Sequence, residues 1–427
     1  MKTALLGSGY AGLRAMATGL PVTLFTTGLP VGEALAQEPN MRKFLIMSAS
    51  SAGDPWNANS PGIYGIEGVR YNENPGMEET AMRLGMVDTT GAAPWASISQ
   101  DVLDRTAFVH HRTYQNAHPQ FDNVMELVGS ARGITGSGTE QLASVLSSEN
   151  AGAMGTIQAE PISLQNNVKF EGRVLQALRP RTLSSLFQVQ TGNALALSQL
   201  RDQTLDSLHA VLKERGTPAQ RRWVDRFVIS REQARSLDEG LLSRFDSIDG
   251  DGADDQVEAA VALILMKVSP VIQIRIPFGG DNHNDNNLVT EANQCIAGVE
   301  TLKRLFASLD AAGISDQVMF ANLNVFGRTL GPRRNPGRDH NLNHHMMVIS
   351  GAGVRPGVYG KVEVSGRDFG AIDIDSATGA GIEGADIPRD QTLEAVAKTL
   401  AVLSGMDRER VDARINGGKV IEGALAS

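Results

Sequence analysis

The residues best equipped for chemistry in this chain are its histidines and the carboxylates beside them. There are eight histidines, His110, His111, His118, His209, His283, His340, His344 and His345. Only His209 sits inside an ordinary helical pattern, Leu205-Asp206-Ser207-Leu208-His209-Ala210-Val211; the other seven fall at the ends of short apolar runs or in the loops near them. In Asp281-Asn282-His283-Asn284-Asp285 an extended backbone puts alternate side chains on one side, so Asp281, His283 and Asp285 can share a cation. Asp339-His340 stands in a loop rich in glycine and proline before Asn343-His344-His345, and Gly337 allows that loop to turn. Asp54 follows the first apolar run and supplies another carboxylate. Imidazoles with carboxylates suit Zn²⁺ or Mn²⁺ best, with Ca²⁺ or Mg²⁺ as the harder alternatives. One Asp-x-His alone is ordinarily a solvated loop; its recurrence at several run ends is what points to a metal centre. Arg328 has the forked donors to bind an anionic group, or equally to pair with a core carboxylate.

The elements that must position these residues follow one grammar. Phe44-Leu45-Ile46-Met47 runs into Ser48 to Asp54, Ala107-Phe108-Val109 into His110-His111, and Val271 to Ile276 into Gly279-Gly280-Asp281. Val318-Met319-Phe320-Ala321 leads towards Phe326-Gly327-Arg328, and Met346-Met347-Val348-Ile349 precedes Gly351-Ala352-Gly353. Short apolar runs bounded by glycine and aspartate read as buried strands. Helical patterns lie between them, at about 78–86, 138–148, 193–214, 218–243, 254–267, 288–312 and 391–405. Strands alternating with helices predict an α/β fold on a mostly parallel sheet, with ligands gathered at the carboxyl ends of the strands. The stretch 185–267 is almost wholly helical and reads as an insertion over that sheet.

Composition sets limits on all of this. The chain has 427 residues and a net charge of -9, which argues against a nucleic-acid or anionic-membrane binder. A lone cysteine, Cys295, excludes an internal disulfide and any cysteine-held zinc site. Residues 1–36 carry Lys2, a weakly apolar stretch and Ala34-Leu35-Ala36, the pattern of an export signal removed before a mature domain at 37–427. Gly19, Pro21, Gly28, Pro30 and Gly32 argue against a stable membrane span there, and the paired arginines of a twin-arginine signal are absent. An exported chain of this kind predicts a periplasmic or cell-surface location. The acidic run Asp246 to Asp255 lacks EF-hand spacing, Gly133 to Gly138 lacks the lysine of a phosphate loop, and no Gly-x-Ser-x-Gly elbow occurs.

Taken in order, Gly53-Asp54-Pro55-Trp56-Asn57, Asn116-Ala117-His118-Pro119, Gly279-Gly280-Asp281-Asn282-His283, Phe326-Gly327-Arg328-Thr329, Gly337-Arg338-Asp339-His340 and Gly351 to Gly357 form a pattern. It resembles the bacterial family called domain of unknown function 1501, whose members are typically exported and look like distant relatives of the alkaline phosphatase and sulfatase superfamily. The resemblance implies a three-layer, alkaline-phosphatase-like sandwich with metal ligands at the strand ends. By motif, Asp54 matches the first-strand acid, Asp281 and His283 the middle pair, and Asp339 and His340 the late pair. His344 joins this ligand set from the residues alone, with His118 and Arg328 placed to stabilise developing negative charge. The family's usual Arg-Ser-His-Phe is Asn116-Ala117-His118-Pro119 here, and Val325 stands where an acid usually precedes Phe-Gly-Arg-Thr. With Ala117 in place of a serine, the nucleophile is either a metal-bound hydroxide or one of the fallback hydroxyls Ser50, Ser51 and Thr113. The expected activity is metal-dependent hydrolysis of small-molecule or polymer-borne phosphate or sulfate esters. Its rival is a non-catalytic cell-envelope protein that keeps the fold and binds a partner.

Overall fold

The computed structural model describes residues 42–126, 141–187, 193–218, 221, 244–332 and 336–426. The export segment 1–36, the glycine stretch 133–138 and nearly all of the helical pattern 218–243 lie outside the described residues. A seven-stranded sheet organises the rest: β1 (Phe44–Ser50), β2 (Thr106–His111), β3 (Ile162–Ser163), β4 (Val271–Ile274), β5 (Val318–Asn324), β6 (His345–Ser350) and β7 (Gly357–Tyr359), in the order β7-β2-β6-β5-β1-β4-β3. β1 runs parallel to β4 and β5, β3 to β4, and β7 to β2, whereas β6 is antiparallel to both of its neighbours. The sheet is therefore mixed by one strand. That strand matters for the site, because its beginning lies at the edge where the other strands end.

Every residue of β1 is buried, as a strand covered on both faces requires. Leu45, Met47 and Ala49 join one apolar core with Val271, Met319 and Ala321; Phe44 and Ile46 join the other with Ile272 and Phe320. The first core is closed by helices Leu142–Met154 and Thr392–Leu403, and the second by Ala253–Leu265 and Val289–Ala311. Burying each Leu or Ile side chain in this way contributes about 1.5–3 kcal/mol. Within the stretch read as an insertion, Asn193–Arg215 is helical and presents Leu200, Leu208 and Val211 to the outside, while Ala253–Leu265 packs against β4. No described helix is long and apolar enough to cross a membrane.

One helical expectation is overturned. Residues 78–86 form most of a hairpin, Glu79–Leu84 against Val87–Ala92, with Leu84 paired to Val87. Met82 and Leu84 are buried two apart, a strand period, and Gly85 takes φ +60° in a two-residue turn that favours glycine. The acidic run ends as a helix start, with Asp255 accepting the Gly252 N–H at 2.8 Å ahead of Ala253–Leu265.

A candidate metal centre at the carboxyl edge of the sheet

Four loops meet beyond the strand ends. The loop after β1 turns at Gly53, where φ is +64° and a Cβ would stand 2.0 Å from the Phe326 ring. Only glycine fits both demands. The ring thus admitted lies flat on His340, with centroids 3.9 Å apart. The loop after β5 pairs Gly327–Arg328 with His340–Asn341 as a short antiparallel ribbon. Gly337 serves by close approach: a Cβ there would fall 1.7 Å from the Asn282 carbonyl oxygen. Gly337 N and Arg338 N donate to the carbonyls of His283 and Asn282 at 3.1 and 3.2 Å, which docks the late Asp-His pair against the middle one.

The result is one convergent set. His118, Asp281, His283 and His340 each present a ligand atom, and these atoms all lie within 4.8 Å of one another. His118 Nε2 stands 3.3 Å from Asp281 Oδ2, and His283 Nε2 stands 3.4 Å from Asp281 Oδ1 and 2.9 Å from His340 Nε2. The opposite ring nitrogens decide what this means. His118 Nδ1 faces the Ser51 carbonyl at 2.8 Å, His340 Nδ1 the Asn116 carbonyl at 2.7 Å, and His283 Nδ1 the Asp339 carboxylate at 2.9 Å. All three partners are acceptors, so in the neutral rings the proton belongs on Nδ1 and the lone pair on Nε2. Three lone pairs and a carboxylate then face a common point, where they repel unless a cation lies among them. A His/Asp cluster able to hold a metal ion is therefore present.

Electrostatics keeps the donors in their binding forms. Burial tends to raise the Asp281 pKa, but Arg328, His283 and His118 together hold it below the usual carboxylate value. Burial, reinforced by Arg328 and the neighbouring imidazoles, lowers the pKa of His340. Arg328 itself is fully buried. Its Nε donates to Gly53 O, Nη1 to Arg338 O, and Nη2 to Ala52 O, Gly280 O and Asp281 Oδ1 at 3.0 Å. A guanidinium committed in this way fixes the loops and charges Asp281's surroundings, and it has no exposed face to offer an anion.

The remaining sequence-derived residues stand around this set. Asp339 binds through His283 as a supporting carboxylate rather than converging with the four. Asp285 accepts from Thr290 N and Glu291 N at 2.9 and 2.8 Å and caps the following helix. Asp54 is fully buried with neither oxygen in a well-formed hydrogen bond, although the Ser50 hydroxyl and the Gly280 N–H stand close enough to favour its charged form; burial raises its pKa against the pull of Arg275, Ser50 and Arg328. Asp54 Oδ1 and Gln294 Oε1 border the side of Gly280 where a Cβ would stand, 3.8 and 3.9 Å from that point. His344 is placed away from the cluster: its Nε2 meets His110 Nδ1 at 2.9 Å and its Nδ1 meets Asn57 Nδ2 at 3.1 Å, which engages both ring nitrogens. Being four residues past His340, at the head of a strand that enters the core, it is drawn inward. Sequence reasoning missed the carbonyls of Ser51 and Asn116, because backbone acceptors leave no mark on residue types.

Asn282, between the two middle ligands, is held by Glu291 Oε2 at 2.7 Å, and Arg338 Nε donates to that same oxygen at 2.8 Å. Asp339→Asn is expected to weaken divalent-ion affinity by about 10–100-fold without unfolding the chain, the usual effect of removing a carboxylate behind a ligating histidine. Titration calorimetry with Zn²⁺ measures this directly. Gly53→Ala is expected to cost about 2–4 kcal/mol, because the new methyl must displace Phe326 and hold a left-handed backbone. Thermal unfolding would show it, and a melting temperature equal to that of the parent would refute the packing argument.

A family model described as "Protein of unknown function (DUF1501)" matches residues 166–415. No curated protein matches the chain.

Proposed function

The chain belongs to the DUF1501 family of proteins of unknown function, and from the chemistry of its cluster we propose that it is an exported, metal-dependent hydrolase of phosphate or sulfate esters with an alkaline-phosphatase-like architecture. The observation that carries this reading is the convergence of three Nε2 lone pairs and one carboxylate, each histidine fixed in the ligating tautomer. His118, His283, His340 and Asp281 would hold the ion, and an imidazole-rich set of this kind favours Zn²⁺ or Mn²⁺ over Ca²⁺ or Mg²⁺. A divalent ion bound there would act as a Lewis acid towards an ester oxygen.

The chain's own residues do the rest. Arg328 keeps Asp281 ionised and aimed, Asp339 holds the proton on His283 Nδ1, and the Ser51 and Asn116 carbonyls do the same for His118 and His340. Phe326 covers one face of His340 and so keeps water from part of the cluster. Ser51 is the exposed hydroxyl at the end of β1, whereas Ser50 and Thr113 are buried.

A second reading has one observation in its favour: Arg328, the strongest anion-binding side chain of the site, is fully occupied by the protein, as a non-catalytic envelope-binding protein would tolerate. Turnover separates the two. The Zn²⁺- or Mn²⁺-loaded chain is expected to hydrolyse 4-nitrophenyl phosphate or 4-nitrophenyl sulfate, with activity lost in His118→Ala. A metal-loaded, folded protein inert towards both esters would favour the binding protein.

A further inference from the structure

We propose that the cavity between residues 69–74 and the turn at 287–288 is a saccharide subsite, which makes the ester substrate a sugar-borne one. This rests on the hydrolase reading above and adds the substrate class to it. The cavity is an open cleft of about 460 Å³, within the roughly 300–1,000 Å³ usual for small-ligand sites. Arg70, Tyr71, Glu73 and Asn74 line it, with Leu288 and Val69 as its apolar part.

The chemistry of the lining selects the ligand. Arg70 and Glu73 cancel in charge, so the cavity favours neither an anion nor a cation. Arg70 donates through Nη1 to Gly337 O at 3.1 Å and through Nη2 to Pro336 O at 2.9 Å, which commits two of its five N–H groups and fixes its plane. The Glu73 carboxylate is exposed and acts as an acceptor. Asn74 spends its amide N–H groups on Asn72 Oδ1 and Asn287 O, leaving its oxygen as a further acceptor. Tyr71 is stacked on Tyr64, with ring centroids 4.8 Å apart and planes within 8°, and is thereby held rigid. Spare donors, spare acceptors, an immobilised aromatic ring and no net charge match a neutral ligand with alternating hydroxyl and C–H surfaces.

The cavity is also built into the loops of the metal centre. Asn287 lies four residues beyond His283, and Gly337, held by Arg70, lies two before Asp339. Its turn is maintained in an uncommon backbone: Asn287 and Leu288 have φ of +55° and +58°, and Asn74 and Asn72 grip their two carbonyls at 2.6 and 3.0 Å. A sugar seated here would extend along the loops that carry His283 and Asp339.

The test uses the full chain stripped of metal with chelator, so that its result is independent of the metal centre. Cellotriose, maltotriose, laminaritriose, xylotriose and chitotriose are titrated separately by calorimetry, alongside sodium sulfate and sodium phosphate. At least one trisaccharide is expected to bind, at least tenfold more weakly to Glu73→Ala, with the same melting temperature in both proteins and no competition from sulfate. Glu73→Gln, which keeps an acceptor oxygen, is expected to recover part of the loss. The proposal is overturned if no trisaccharide binds the folded protein, if binding is indifferent to Glu73→Ala, or if sulfate or phosphate takes the site instead. Failure here leaves the metal reading standing, whereas failure of metal binding leaves the saccharide site but removes the sugar-borne ester built on it.

Discussion

The Asp281→Ala/His283→Ala variant is expected to leave purification without divalent ion, where the parent chain, dialysed against Zn²⁺ or Mn²⁺, retains one ion per molecule. The reason is the balance of charge and lone pairs at the cluster. In the parent, three Nε2 atoms and a carboxylate converge on one point, and each imidazole is held in place from behind. The double substitution removes the one carboxylate among the four ligands together with His283, whose Nε2 stands against both Asp281 and His340. His118 and His340 remain, and two neutral imidazoles compete poorly with solvent for a divalent ion. Removing Asp281 also leaves the buried Arg328 facing the gap, so a positive charge now repels any cation that approaches. Elemental analysis gives the stoichiometry, and thermal unfolding gives the linkage. With free ion about a thousandfold above Kd, binding adds about 4 kcal/mol of stability, so chelator should lower the melting temperature of the parent and leave that of the variant unchanged. A variant that keeps its metal, or a parent that takes up none of Zn²⁺, Mn²⁺, Ca²⁺ or Mg²⁺, would sink the centre.

How far this site was legible in the sequence depends on which of its parts are residue types and which are backbone. The α/β class and the positions of β1, β2, β4, β5 and β6 could be read because a strand buried on both faces is an uninterrupted apolar run, as Phe44–Met47 is. The direction of β6 could not, since Met346–Ile349 reads the same in either orientation, and that direction is what brings His344 and His345 to the edge where His110 and His111 end. The first strand of the hairpin Glu79–Ala92 reads as helix over 78–86 because Met82 and Leu84 alone set its period, while Gly85, the turn signal, sits at the end of that window. Asp281, His283 and His340 were legible as an acid and two imidazoles after strands. The part played by His118 was not, because its neighbour in the cluster, Asp281, is more than 160 residues away. His344 and His345 were equally suggestive by type, and only packing distinguishes them from His340: they enter a dry strand, while His340 stays in the ribbon beside Arg328.

Those inward histidines carry the second large prediction: in the presence of chelator, lowering the pH from 7 to 5 is expected to destabilise the chain strongly. His110, His111, His344 and His345 are fully buried and lie in two hydrogen-bonded pairs, His110 with His344 at 2.9 Å and His111 with His345 at 3.3 Å. Burial pushes His110 and His111 down to about 4, and holds His344 and His345 well below the ordinary histidine value. Arg112 adds its positive charge against His344. The sign follows from which state takes up protons. In the unfolded chain each imidazole titrates near 6.5, so between that pH and about 4 the unfolded state binds protons that the native state refuses. Stability is thus complete above pH 6.5 and falls as the pH drops towards the native values. At pH 5 the loss is about 2 kcal/mol each for His110 and His111, and His344 and His345 add to it in the same direction, against the roughly 5–15 kcal/mol by which whole domains are stable. Asp54 opposes this with a single group, since its raised pKa makes its burial easier as the pH falls. Equilibrium unfolding in denaturant across this range measures the slope, and a His111→Gln/His345→Gln variant should show about half of it. A stability that is flat from pH 7 to 5 would mean that the pairs take up protons without opening. The same pairs tie the core to the site, because His344 holds Asn57, and Asn57 grips Arg328 through its N–H and carbonyl at 2.9 and 2.6 Å. Acid should therefore release the clasp on Asp281 together with the strands beneath it.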